Sequence, residues 1–276
     1  PDHKIPRIIE KTARKMSAEA RARALAEFPM PAALAQYFHD ADQPQTLSRA
    51  VIVSHGQPGD PAPQQAAIEA LAAQVAAHAP GVEVLGATLA DPDALPRTCR
   101  SDCIIYPMFM AEGWFTGVEL PRRLTQAGAP GAHIMRPFGT DPGLDALVIE
   151  KARQAADAQG WALSDTTLLL SAHGSQRGQA SHDITMALAA RIAPNFARVV
   201  AGFVEQEPFI ADAAHGLDRA ISLPLFALRA EHVLDDLPQA LDQAGFTGPR
   251  LDPVGLAPEV PAMIAASITR EVSSLK

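Results

Sequence analysis

"LLLSAHGSQRG", residues Leu168 to Gly178, runs apolar for three residues and then sets one histidine between small residues and a glycine. A short apolar run closed by a glycine-bearing turn fits a strand buried on both faces of a parallel sheet. Why such a strand opens onto a lone histidine is answered by its duplicate. "IVSHGQPGDP", from Ile52, repeats the pattern with His55, 118 positions before His173. The match continues, because "YPMFMAEGWFTGVELPRRLTQAG" from Tyr106 aligns with "LPLFALRAEHVLDDLPQALDQAG" from Leu223. Pro107 pairs with Pro224, Pro121 with Pro238 and Gly128 with Gly245, all 117 apart, and Pro137 pairs with Pro253 at 116. Solenoid units span only ~20–50 residues, so a period of this size is a duplicated domain.

From Arg49 onward, short apolar runs alternate with turn residues and helix-forming stretches, the pattern of βα units around a parallel sheet. The runs AVIVS, VEVLGA, CIIYPMF and AHIMRPF are followed by TLLLSA, RVVAGFV, AISLPLF and RLDPVG, two sets of four strands. The expected fold class is therefore α/β: two tandem doubly wound parallel four-stranded domains, residues 50–164 and 165–276, behind a helical N-terminal extension, residues 1–49. In that extension Ser17 is placed to cap a helix over AEARARALAEF, PMPAAL interrupts it, and a second short helix is expected near Gln36.

Composition narrows the function. With 276 residues, 47% of them hydrophobic, the chain can bury a sizeable core. Acidic residues outnumber basic ones by 31 to 23, a net charge of −8 that argues against a nucleic-acid partner. The seven basic residues before Leu25 are interrupted by Glu10 and Glu19 and read as a solvated helical face. Two cysteines, Cys99 and Cys103, are too few for a disulfide framework or a structural zinc site and suit a reducing cytoplasm. No apolar run reaches the length of a membrane span, and no apolar signal core is present. Neither half carries a dinucleotide-binding glycine loop or a P-loop, so no nucleotide is expected.

Functional groups on parallel sheets gather at the carboxyl ends of the strands, where His55, His173, Glu205 and the loop bearing His232 all fall. Two imidazoles and a carboxylate suit a borderline divalent metal, and each group can also accept a proton. A lone strand-end histidine is ordinarily a hydrogen-bonded structural residue, and His55 by itself is read so. Glu207 shares a face with Glu205 in an extended segment and stands as its understudy. Asp235 and Asp236 fit the negatively charged first turn of a helix.

"LLLSAHGSQRG", "AGFVEQEP" and "LPLFALRAEHVLDDLP" together resemble the signature segments of the CbiX-type sirohydrochlorin chelatases, within the class II tetrapyrrole chelatases. The likeness covers residues from about 50 to 276 as two units. It implies insertion of a divalent metal into a tetrapyrrole without nucleotide energy, in cobalamin or sirohaem biosynthesis. His173, Glu205 and His232 would then be both the metal ligands and the catalytic groups. The metal is a substrate, Co2+ first, then Fe2+ or Ni2+. A carrier that binds a tetrapyrrole or metal without catalysing insertion is the alternative.

The halves are unequal. Aligning the prolines sets Phe115 opposite His232, and aligning Gly86 with Gly202 sets Leu89 opposite Glu205 and Asp91 opposite Glu207, so only His55 persists in the first half. Trp114 and Phe115 fit an apolar wall of a cleft, or equally a core or interface. The carboxylate-fringed substrate needs cations, and Arg177 and Arg229 are the candidates, with Arg122 and Arg123 behind them. Neutral imidazole is the ligating form, so activity is expected to fall as histidines protonate. Two covalently joined units make a monomer sufficient.

Overall fold

The computed structural model of the protein describes residues 16–28, 48–176, 178–229 and 236–275. Contacts divide the chain into Pro1–Leu47 and Ser48–Lys276. In the first unit, Ser17 caps helix α1 (Ala18–Glu27) as expected, its hydroxyl accepting the Ala20 N–H at 3.2 Å. The helix expected near Gln36 lies outside the described residues.

In the second unit, β1 (Ser48–Ser54), α2 (Pro61–His78), β2 (Val82–Thr88), α3 (Ala94–Thr98), β3 (Ile104–Pro107), α4 (Leu120–Gln126) and β4 (His133–Ile134) alternate as anticipated. Their strands pair in parallel in the order β2-β1-β3-β4. After α5 (Leu144–Ala158) the pattern repeats as β5 (Thr167–Ala172), α6 (Ala180–Ile192), β6 (Arg198–Phe203), α7 (Ile210–Ala214) and β7 (Ala220–Pro224), ordered β6-β5-β7. Helices α8 (Asp236–Gln243) and α9 (Val260–Leu275) follow.

Among the described residues the second sheet has three strands where four were expected. The run RLDPVG contributes one bridge, Arg250 to Ser222, supported by Ser222 N–H to Pro249 O and Leu251 N–H to Ser222 O, both 2.9 Å. Pro249 precedes the run and Pro253 lies within it; neither has an N–H to donate, which limits the ladder.

The central strands are apolar throughout because both faces are covered. Leu168 and Leu170 enter the same core as Ala50 and Ile52, while Leu169 and the pair Val51 and Val53 fill separate clusters on the outer faces. Burying one such leucine contributes about 1.5–3 kcal/mol. The shared core runs through both sheets, and the closing helices of the two repeats are exchanged across it. Helix α5 packs on β7 and α6 of the second sheet, whereas α9 packs on α2 and β3 of the first. Lys151 to Glu259 at 3.0 Å and His133 to Glu271 at 2.7 Å pin the crossing elements.

Strand pairing corrects one alignment. Thr88 pairs with Ser54 and Phe203 with Ala172, so Phe203 occupies the place of Thr88, and Gly202 that of Ala87 rather than Gly86. The sheet faces agree: a Cβ on Gly86 would meet the backbone of Ile68 on α2, whereas one on Gly202 would meet Ile210 on α7. A slip of one residue reverses the face, so the counterpart of Glu205 is Ala90. The first half still lacks a carboxylate there.

Candidate functional site

Each sheet has its switch point beside the central strand, where the chain leaves to one side and returns on the other. In the first half this brings His55, after β1, near Met108–Met110, after β3. In the second it brings His173, after β5, near Leu225–Arg229, after β7. The two switch points line one cleft of about 340 Å³, at the small end of ligand-site volumes. Its walls are mainly apolar, with His55 and His173 among the few polar side chains.

The His-Gly step is built the same way twice. Gly56 and Gly174 have φ of +74° and +73°, a region that a side chain rarely adopts. A Cβ on Gly174 would lie 2.8 Å from Gln206 Cγ, and one on Gly56 would lie 2.6 Å from Ala90 Cβ. Each imidazole turns Nδ1 toward the carbonyl of its own glycine, at 2.6 Å for His55 and 3.2 Å for His173. The repeated PFG and PVG segments press the neighbouring loops into place. Gly139 N–H donates to Phe109 O and Gly255 N–H to Phe226 O, both at 3.0 Å, and no Cβ would fit at either glycine.

Glu205 is brought to His173 by the backbone. The Val204 and Glu205 N–H groups both donate to His173 O, at 3.2 and 2.9 Å, leaving Glu205 Oε2 3.8 Å from His173 Nδ1. Both side chains are close to half exposed. The two side chains stand beside each other, an imidazole and a carboxylate, both donor types that divalent metals accept. Gln206 was not anticipated: its Oε1 accepts the Ser175 N–H at 2.8 Å and clamps the histidine loop onto the β6 end. Its position between two glutamates hid that role.

The other expected site residues divide. Arg229 lines the cleft, and its guanidinium donates to Asp252 Oδ1 at 3.0 Å. His232 and Arg177 lie outside the described residues, and among the described residues no three His, Cys, Asp or Glu side chains form a metal-binding group. Glu207 is exposed. Arg122 and Arg123 are held elsewhere: both donate to the buried Glu119, and Arg123 also to Leu89 O. Hydrogen bonds from the two guanidinium groups pull the Glu119 carboxyl down to about 2. Cys99 and Cys103 are buried free thiols; each other's proximity pushes the Cys99 thiol up and draws Cys103 down.

Phe115 takes the place opposite His55 that the repeat assigns to His232 in the second half. Its ring meets the His55 imidazole edge-on, 4.4 Å between centroids, and stacks on Phe109, a cleft residue, at 6.3 Å. Trp114 packs edge-on against Phe115 at 5.1 Å.

No curated protein sequence matches the chain significantly. The CbiX family model matches residues 167–271. Among solved structures, a CbiX described as the terminal enzyme for biosynthesis of siroheme in denitrifying bacteria is 60% identical with a TM-score of 0.77, the match covering 80% of this chain and 98% of that one. DR2241 from Deinococcus radiodurans, a multi-domain protein with structural similarity to chelatases and two additional domains, is 25% identical with a TM-score of 0.59, over 80% of this chain and 54% of its own. SirB from Bacillus subtilis, solved with Fe3+, shares the fold at 14% identity and a TM-score of 0.62, over 82% and 96% of the two chains. With that level of identity across nearly all of the first of these structures, the chain belongs to the CbiX family.

Proposed function

We propose that the protein is a chelatase that inserts a divalent metal into a sirohydrochlorin-type tetrapyrrole. The observation that carries this reading is the His173–Glu205 pair, 3.8 Å apart, with His173 lining an apolar cleft between two sheets. His232, in the signature segment that follows β7, is the third ligand and second histidine of the set. Imidazole and carboxylate bind the arriving ion, and their partial exposure leaves it room to keep and then shed water.

As the ring nitrogens take a divalent ion, two pyrrole protons must leave. In this reading Glu205 and the histidines accept them, being groups that titrate or hold a proton near neutral pH. Arg229 exchanges its Asp252 partner for a substrate carboxylate, trading one charge-assisted bond for another; Arg177, beside His173 in sequence, is the second such cation.

His/His/Glu suits several metals. Sequence resemblance put Co2+ ahead of Fe2+; the description of the 60% identical relative supports Fe2+ first for this chain and sirohaem as the product pathway. The boundary between residues 50–164 and 165–276 is retained as a division of labour, with the metal site in the second part. Two buried free thiols favour the reducing cytoplasm as its compartment.

The test is the visible spectrum of sirohydrochlorin incubated with Fe2+, Co2+ or Ni2+ and the purified chain. Catalysed conversion is expected, and His173→Ala and His232→Ala each reduce its rate by at least about a hundredfold. Tight binding without acceleration would identify a carrier instead, and wild-type rates in both variants would remove the assigned residues from the site.

A further inference from the structure

The first half has not merely lost a metal site. Aligned at the constant offset of 117, WFTGVELP (Trp114–Pro121) stands against EHVLDDLP (Glu231–Pro238). Glu231 is replaced by Trp114, His232 by Phe115 and Asp235 by Val118. Three polar residues have become large apolar ones, and all three are exposed, at 59% for Trp114, 38% for Phe115 and 53% for Val118. Drift on a surface that has lost its function does not favour exposed aromatic and branched apolar side chains, which cost solubility and invite association.

The local backbone supports the same reading. Phe115–Glu119 forms a π-helical turn leading into α4, and such turns concentrate at functional sites. It is fastened beneath: Glu119, 5% exposed, holds both Arg122 and Arg123, while Thr116 Oγ1 accepts the Gly113 N–H at 2.9 Å. The apolar side chains are thus presented outward on a tied base. They are also continuous with the cleft, because Phe115 touches His55 and stacks on Phe109, both cleft residues.

We propose that Trp114, Phe115 and Val118 form a platform on which the apolar face of the flat macrocycle lies while the second half delivers the metal. This inference rests on the chelatase reading and names what the first half does within it. A cleft of about 340 Å³ is too small to enclose four pyrrole rings with their carboxylate arms, so part of the ring must rest on a surface adjoining the mouth. Exposed aromatic rings contiguous with that mouth, set at 74° to each other, supply an apolar surface of one ring face and one ring edge.

The chain has two tryptophans, so Trp161→Phe leaves Trp114 as the sole indole reporter. Titrating that full chain with metal-free sirohydrochlorin is expected to quench the emission saturably. Trp114→Ala and Phe115→Ala in the otherwise wild-type chain raise the macrocycle Kd, followed by its absorbance, by about tenfold, and Trp114→Tyr restores it. Val118→Asp, which writes the second half's residue into an exposed position, weakens binding without touching a packed side chain. The Kd for Fe2+ alone stays the same in all of them. Wild-type macrocycle affinity in both alanine variants would overturn the platform. So would sedimentation showing that Trp114→Ala dissociates a dimer while macrocycle affinity is unchanged, since the patch would then join two copies. If no metal insertion is found but Trp114 quenching in the parent chain and the raised absorbance Kd of the alanine variants persist, the platform stands and only the chelatase reading fails.

Discussion

The β1 edge and the β5 edge have the same backbone and different chemistry. Both end in His-Gly with the glycine near φ +74°, both imidazoles face their own glycine carbonyl, and both line one cleft. Yet His173 has Glu205 beside it, whereas His55 has Phe115. The two edges therefore share what the fold needs, a left-handed glycine packed on the next strand, and differ in sequence at the neighbouring positions, Glu205 against Ala90 and His232 against Phe115. A histidine at a strand end is evidence of function only through its neighbours.

The comparison breaks most readily at the carboxylate. Glu205→Gln is expected to slow metal insertion by about ten- to a hundredfold, because the amide neither balances a cation's charge nor takes a proton. His55→Ala should cost less than tenfold in the same spectrophotometric assay. Equal losses at the two positions would mean that the first half retains a metal site.

A smaller effect tests the shared backbone. Gly174→Ala forces a Cβ into Gln206 and Phe203 at an unfavourable φ and should lower unfolding stability by about 1–3 kcal/mol in urea titration. Gly56→Ala should cost a similar amount, since its Cβ meets Ala90 and Thr88. If only the second-half variant is destabilised, the two turns are not structural equivalents.

The mildest test concerns the platform's base. The Glu119 carboxyl is held at about 2 in the folded state by hydrogen bonds from the two arginines, below the usual 4.5. A depressed folded pKa stabilises above the unfolded value, and that contribution disappears as pH falls from about 4.5 through about 2. Glu119→Gln should thus lower the thermal midpoint at neutral pH, with the gap from wild type narrowing through that acid window. A gap independent of pH would show that packing, not charge, holds the turn.

Particular residues show how far reading the chain could go. Ser17 as a cap, the strand ending at Ala172 and the repeated His-Gly step were legible, because capping, alternation of apolar runs with turns, and glycine chemistry are local. That Glu205 and His173 both lie at strand ends was legible; that the strands are neighbours, with the side chains 3.8 Å apart, came from the sheet order. The one-residue misplacement of Gly202 came from matching identical residues; only hydrogen-bonded partners reveal which face a strand residue occupies. Arg122 and Arg123 looked available to a substrate because nothing in their spacing states that Glu119 is buried between them and the sheet loop. Gln206 was passed over because a neutral amide among glutamates carries no signal until the Ser175 N–H is seen to need it.

By itself, then, the sequence determined the α/β class and the family likeness, since periodicity and motif spacing are properties of short stretches. Tertiary structure alone decided that the two repeats exchange helices α5 and α9, share one core and turn their switch points onto a common cleft. The reason is physical: burial of apolar faces is non-directional, so a pattern of leucines specifies that a helix packs but not against which sheet. That choice emerges only when both sheets compete for the same helices.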